Sequence, residues 1–504
     1  MAAIRCNMTW INRGCAEYQE LTRRQFLRGS GGVVAAAATL PAWLPRVALA
    51  QDYCSTRDVI VSVFLRGAAD GLSLCVPHAE DAYYANRPTL AVPRPDSGDP
   101  NSCTDLDGFF GLPPSMTALL DAYQAGHALF VHACGSTDPS RSHFDAQRYM
   151  EVGKPADQAL FTGWLGRHLA STAPQRANAI LRGVGIGYGL QRTLQGAPEA
   201  LPIPDLDIFG LTGNTGSRDE RSATIQEMYA LVNDPLRTNA LITQQTIDLL
   251  NTIDFANYQP APGAAYPNNS TGYAFKTTAA LIKADVGVEA VAIDVQGWDT
   301  HNAQGTISGT MSTLMNTLSA CLASFHTDMF SGNGRNVTVV VMTEFGRRLL
   351  ENGSIGTDHG HGGAMIVLGN NIAGGRVLRN WPGLQPDQLF EGRDLQVTID
   401  FRDILAEIVA LRLGNPNLAG VFPDYSPTFR GVTVNCGRGD MNCDGALNNF
   451  DIDPFVLAIS DPAAHQAAYP ECNVNAADVN RDGAVNNFDI DPFVECLSNG
   501  GCPD

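Results

Sequence analysis

The sequence predicts an α/β protein built on a doubly wound, mostly parallel sheet. Three observations point there. First, short apolar runs of strand length recur at Asp58–Leu65, Ala128–Ala133, Val288–Val295, Val337–Met342 and Met365–Leu368. Runs this short and this continuously apolar suit strands buried on both faces. Second, helical patterns separate them, at Leu112–Gly126, Phe144–Glu151, Tyr273–Asp285 and Thr306–Met329. Strands alternating with helices imply parallel strands joined by crossovers. Third, four of the runs lead into loops carrying acid, hydroxyl or imidazole groups, and ligands in such sheets bind beyond the carboxyl ends of the strands.

The two ends of the chain differ from this body. Thr22–Arg28 (TRRQFLR) is a twin-arginine pattern, Gly29–Leu40 a short, weakly apolar stretch, and Ala48-Leu49-Ala50 a small-residue cleavage site. Residues 1–50 thus read as an export signal and the mature chain begins at Gln51, destined for the periplasm, the cell surface or the medium. No later segment is apolar enough over about 18 residues to span a bilayer. The net charge of the 504 residues is −19, and losing six Arg and two Glu with the leader takes it to −23. Such an acidic surface argues against nucleic acid and anionic lipid as partners. Ten of the twelve cysteines follow the leader, and in an exported chain they favour disulfides over thiol ligands.

Taken in order, the strand-end loops supply the candidate site. Asp58–Leu65 runs into Arg66–Ser73, where Asp70 is placed either as a metal carboxylate or as half of an Asp-Gly turn. Ala128–Ala133 runs into Gly135–Asp145, where Ser140, Arg141, Ser142 and His143 lie together before a helix. Ser140 or Ser142 could attack an ester or hold an anion there, and equally could cap the helix. Arg218–Ile253 reads as a long polar helix over the sheet face. Val288–Val295 exits into Asp299 and His301, a pair suited to a divalent ion. Val337–Met342 ends in Thr343 and Glu344. Arg347 follows, then the Gly-rich stretch Gly356–Gly363 (GTDHGHGG) with Asp358, His359 and His361. Asp394–Leu413 closes the body as a last strand–helix unit. A peptidase or glycosidase has no motif behind it, since neither H-E-x-x-H nor G-x-S-x-G occurs.

Residues 436–504 carry a duplicated loop. Asp440, Asn442, Asp444, Ala446, Asn448 and Asp451 hold positions 1, 3, 5, 7, 9 and 12 of a calcium-loop pattern, with Gly445 at 6. Asp478, Asn480, Asp482, Ala484, Asn486 and Asp489 repeat it with Gly483. Calcium takes six to eight oxygens, and position 7 offers a backbone carbonyl. Both loops run into the same nonapeptide, NNFDIDPFV, so two Ca2+ ions and two short helices are expected. Two Arg face twelve acids across this stretch, an excess that bound calcium would offset. With Asp at position 12, Cys436–Cys502 resembles a dockerin domain, which implies a cohesin or a cell-surface scaffold as partner.

The segments FLRGAADGLS, SRSHFDAQ, QGWDTH, TEFGRR with GTDHGHGG, and DFRD together resemble domain-of-unknown-function family 1501, over roughly residues 56–430. That family looks related to the alkaline phosphatase and sulfatase superfamily. The resemblance implies an alkaline phosphatase-like domain over residues 51–435 holding one or two divalent ions, whether Zn2+, Ca2+ or Mg2+. Asp70 matches the first-strand carboxylate, Asp358 and His359 the late Asp-His pair, and Asp299 with His301 a second ligand group. The Cys/Ser-x-Pro-x-Arg pattern of sulfatases is absent, since the order here is Pro139-Ser140-Arg141. The expected function is an exported, metal-dependent hydrolase of phosphate or sulfate esters, such as esters on a polysaccharide. Asp70, Asp299, His301, Glu344, Asp358, His359 and His361 would hold metal, Ser140 or Ser142 would attack, and Arg141 or Arg347 would stabilise charge. The alternative is a non-catalytic cell-surface binding or assembly protein that retains the fold.

Overall fold

The computed structural model describes residues 57–504 apart from 207–208, 212, 235, 331–335, 434–437, 443–446, 470–471, 473, 481–484, 500–501 and 503–504. The leader and its cleavage site lie outside the described residues. Thirteen strands form among those described: β1 (Val59–Leu65), β2 (Thr104–Asp105), β3 (Gly111–Leu112), β4 (Ala128–Gly135), β5 (Gly183–Ile186), β6 (Ala200–Ile203), β7 (Ala290–Val295), β8 (Val337–Thr343), β9 (Arg347–Glu351), β10 (Thr357–His359), β11 (Gly363–Gly369), β12 (Arg376–Leu378) and β13 (Ile399–Asp400). The main sheet runs β12-β4-β11-β8-β1-β7-β5-β6, with β13 beside β4.

All of its pairings are parallel except those of β11, which runs antiparallel to both β4 and β8. The carboxyl ends of β1, β4, β7 and β8 therefore share one edge. β11 reverses because the β9–β10 hairpin returns the chain to that edge before β11 begins. Every residue of β1 is buried. Val59, Val61, Val63 and Leu65 join one core with Phe275, Leu281, Leu318 and Phe325 of helices Ser270–Lys283 and Thr310–Met329. Ile60 and Phe64 join another with Trp164, Leu165, Ile404 and Ile408 of helices Trp164–Ser171 and Phe401–Leu411. Alternate side chains of one strand thus feed two helical layers, as a doubly wound sheet requires.

Four features depart from the sequence expectations. The four-residue strands β5 and β6, at and next to one edge of the sheet, carry too few apolar residues (GVGI and ALPI) to stand out as runs. The polar helix expected over 218–253 divides into Arg218–Ala230 and Leu236–Leu250, and the break falls just before a proline, where helical backbone is disfavoured. The last unit has only the two-residue strand β13 before its helix. Cys75, Cys103, Cys134 and Cys321 are buried free thiols, packed as small apolar side chains. Cys496 bonds Cys502, and Cys472 is disulfide-bonded.

The C-terminal residues fold as two matching halves. Helices Ile452–Ser460 and Ile490–Asn499 bring Phe455 and Phe493 into a parallel stack, with centroids 3.8 Å apart. In each half the twelfth-position carboxylate closes its own loop. Asp451 accepts from the N–H groups of Met441, Asn442 and Asn448 at 2.7, 3.1 and 2.8 Å. Asp489 accepts from Val479, Asn480 and Asn486 at 2.8, 3.1 and 2.9 Å. Asn448 and Asn486 cap the short helical turns that follow. Asp440 is buried beside the first loop, while Asp444, Ala446, Asp482 and Ala484 lie outside the described residues.

Candidate metal centre

The common strand edge gathers three imidazoles around one carboxylate. β7 exits into Asp299 and His301. β4 exits through 136–142 to helix His143–Val152, which places His143 in its first turn. The β9–β10 hairpin brings Asp358 and His359 back over β8. His359 Nε2 and His301 Nε2 each lie 3.1 Å from Asp299 Oδ1, and His143 Nε2 lies 3.5 Å from Asp299 Oδ2. One ligand atom from each of His143, Asp299 and His359 falls within 4.8 Å of the others.

The opposite ring nitrogens set the protonation. His143 Nδ1 is 2.7 Å from Glu344 Oε1, His301 Nδ1 is 3.3 Å from Asp358 Oδ1, and His359 Nδ1 is 3.0 Å from the Arg141 carbonyl oxygen. Each partner can only accept, so each Nδ1 donates to it and each ring turns its Nε2 toward Asp299. Ligating histidines are oriented in this way by carboxylates and carbonyls behind them. The His301 and His359 Nε2 atoms are 3.0 Å apart. Two lone pairs at that distance repel unless a proton or cation lies between them. Two imidazole nitrogens bound tetrahedrally at about 2.0–2.1 Å stand about 3.3 Å apart, so the donor set fits a divalent ion with little adjustment.

The surroundings supply the expected charge balance. Burial alone would raise the Asp299 carboxyl, but hydrogen bonds from Arg347 and His359 outweigh it and hold its pKa near about 2. The hydrogen bond to Glu344 raises the pKa of His143, whereas burial lowers that of His359. Asp358 is lowered chiefly by the amide of Asn352. Glu344 is 1% exposed. Besides His143 it accepts from Gly67 N–H at 2.9 Å and Gln147 Nε2 at 2.8 Å; burial would raise its pKa, but the hydrogen bonds from His143 and Gln147 outweigh it and lower it. Its role is to hold His143.

Other predicted residues lie outside the cluster. Asp70 is wholly buried and grips Arg87 through both oxygens, at 2.5 and 3.1 Å, with Ser73 and Gln304 filling its other positions. Arg347 is equally buried and donates to the carbonyls of Gly67, Ala68, Trp298 and Thr357 as well as to Asp299 at 2.6 Å. Arg141 pairs with Asp394 and Glu391. His361 stacks on Phe390 with centroids 4.2 Å apart, and burial takes its pKa down to about 4. Ser142 precedes the His143 helix without capping it through its side chain, and its N–H donates to Ser140 Oγ at 3.2 Å.

Glycine makes the loops fit. A Cβ on Gly356 would stand 2.2 Å from the His301 carbonyl oxygen, so only glycine lets the Asp358 loop lie against the His301 loop. Gln304 ties the same loops from beneath, since its Oε1 accepts from Thr300 at 3.1 Å and Thr357 at 2.6 Å while its amide reaches Asp70. The sequence reading placed His143 in its loop but did not count it as a ligand. Its position at a helix start on a strand-end loop was the available signal.

These features define an α/β protein with three histidines and a carboxylate at the carboxyl edge of its sheet. The chain belongs to the family described as Protein of unknown function (DUF1501), whose model matches residues 57–414. A twin-arginine translocation pathway signal sequence matches residues 20–41. The protein is therefore exported by that route, and no helix among the described residues is long and apolar enough to cross a membrane. No curated protein matches the chain.

Proposed function

We propose that this is an exported metal-dependent hydrolase of phosphate or sulfate esters, with the alkaline phosphatase-like fold that its sequence resembles. The observation that carries the reading is the convergence of His143, His301 and His359 Nε2 on Asp299, each ring pinned from behind. His143, His359 and Asp299 would hold one divalent ion and His301 would complete its shell. Such an ion polarises an ester oxygen and lowers the pKa of a bound water or hydroxyl. Arg347 fixes Asp299, Glu344 fixes His143, and Asp358 fixes His301. Ser140 and Ser142 remain the candidate nucleophiles. Ser140 Oγ accepts from Ser142 N–H and so keeps its own proton available to a base.

A second reading, a binding or assembly protein without turnover, draws support from the arginines. Arg347 and Arg141 are both committed to fixed partners, which leaves neither to meet a transferred group. The C-terminal halves are read as a dockerin-like module binding two Ca2+, attaching the enzyme to a cohesin or surface scaffold near a polysaccharide ester. The test uses mature protein from Gln51 beside Asp299→Asn and His359→Ala. Metal content and hydrolysis of chromogenic phosphate monoesters, phosphate diesters and sulfate esters are measured. The expected result is calcium in all three proteins, with a further divalent ion and turnover in the parent only. Equal metal content and no turnover in any of them would refute the hydrolase.

A further inference from the structure

Beside the histidine cluster lies a cavity of about 520 Å³ between helix Asp81–Asn86, strand β9 and the 384–393 loop. That is the size of a small-molecule site. Leu350, Leu384, Pro386 and Leu389 form apolar walls, and Arg348 and Arg393 line it as well. Asp81 also lines it but is paired with Arg94 at 2.5 Å. The two arginines are under-satisfied. Their Nε atoms lack an acceptor, and their side chains are 37% and 40% exposed. Arg348 comes only to 3.8 Å of Asp358 Oδ2, beyond hydrogen-bond reach. Arg393 donates through Nη2 to Glu391 at 2.6 Å and stands 3.7 Å from Asp394. Both arginines line the cavity with partly exposed side chains, and the planar fork of an arginine matches an oxyanion.

We propose that this cavity binds an oxyanion, a sulfate, phosphate or carboxylate group carried on a larger organic molecule, between Arg348 and Arg393. The apolar walls take the carrier and the arginines take the charge. Arg348 faces Asp358, which in turn holds His301, so the bound molecule lies one side chain from the metal ligands. On the ester-hydrolase reading this is where a second anionic group of a polyanionic substrate sits. The site itself does not depend on turnover.

The test is isothermal titration of the mature full chain with sodium sulfate, sodium phosphate and a sulfated disaccharide, against sodium chloride at matched ionic strength. His359→Ala, which alters the histidine cluster but not the cavity, is titrated in parallel. Saturable binding is expected in both proteins. It should weaken at least about tenfold in Arg348→Ala and in Arg393→Ala, the loss of a charged hydrogen-bond pair, and less in Arg348→Lys. The sulfated disaccharide should bind more tightly than free sulfate if the walls take the carrier. Circular dichroism on each variant, with Arg348→Lys keeping stem and charge, separates lost binding from lost folding. Absence of saturable binding above the chloride control overturns the proposal. So does unchanged affinity in both alanine variants, or binding lost in His359→Ala and kept in them, which would place the anion at the histidine cluster.

Discussion

Replacing Asp70 by Asn separates two roles that a carboxylate at a strand end can play. As a metal ligand, Asp70 would lose the ion with little effect on folding. In this structure it is 0% exposed and holds a wholly buried Arg87 through two hydrogen bonds, with Ser73 and Gln304 at 2.6 and 2.8 Å. Burial raises its pKa, but the charge and hydrogen bonds of Arg87 outweigh this and the net shift is downward. Asp70→Asn keeps the shape and removes the charge, leaving a guanidinium unpaired in the core. Breaking one partner of a buried pair costs about 3–5 kcal/mol. For a domain of about 380 residues the unfolding entropy is about 0.8 kcal/mol/K, so the melting temperature should fall by about 4–6 °C. Thermal unfolding and metal content are measured on Asp70→Asn, Arg87→Met and the double variant. The expected outcome is unchanged metal, a lowered melting temperature in each single variant, and a double variant well short of their sum. Lost metal at an unchanged melting temperature would refute the ion-pair reasoning and restore Asp70 as a ligand.

Two further predictions concern the loops and the acid limb of stability. Gly356→Ala would drive a Cβ to 2.2 Å from the His301 carbonyl oxygen, and overpacking of this kind costs about 1–3 kcal/mol. Denaturant unfolding and metal retention should both weaken, and a variant unchanged in both would show that the loops do not need the close approach. His168 is buried, its Nδ1 accepts from Asn415 at 3.1 Å, and burial takes its pKa down to about 3. Because that lies below the unfolded value of about 6.5, the unfolded chain takes the proton first. The stability associated with neutral His168 is thus whole above about pH 6.5 and falls by about 1.4 kcal/mol per pH unit as pH drops toward 3. Denaturant unfolding between pH 7 and 5 should show a slope smaller by about one proton in His168→Gln, and equal slopes would count against it.

The strands of the core were legible because each is a continuous apolar run buried on both faces. β5 and β6 were not, because four-residue strands hold too few apolar residues to register as a run. The meeting of strand-end loops at one edge also followed from topology, and it brings Asp299, His301, Glu344, Asp358 and His359 together. What residue type could not convey is which partner each group takes. Asp70 and Glu344 are both carboxylates just past buried strands. One meets a buried arginine contributed by the end of a short helix, and the other meets His143. Neither partner is marked by periodicity, because a buried arginine or a histidine at a helix start resembles an exposed one in the sequence. The same limit applies to Arg347, whose four carbonyl acceptors come from three separate loops.

The cluster nevertheless has a physical logic that runs back to the chain. An imidazole can offer a lone pair inward only if its other nitrogen is held by an acceptor, so three inward nitrogens require three outward acceptors. Glu344, Asp358 and the Arg141 carbonyl fill those places, and each arrives on a different loop from the ring it holds. Such cross-bracing demands close backbone approach between loops, which explains the glycine at 356. It also demands rigid floors, which Gln304 and Arg347 supply from beneath. Acids and histidines on these loops therefore divide into groups facing the centre and groups bracing them. The brace set, more than the ring set, accounts for why the three rings point the same way.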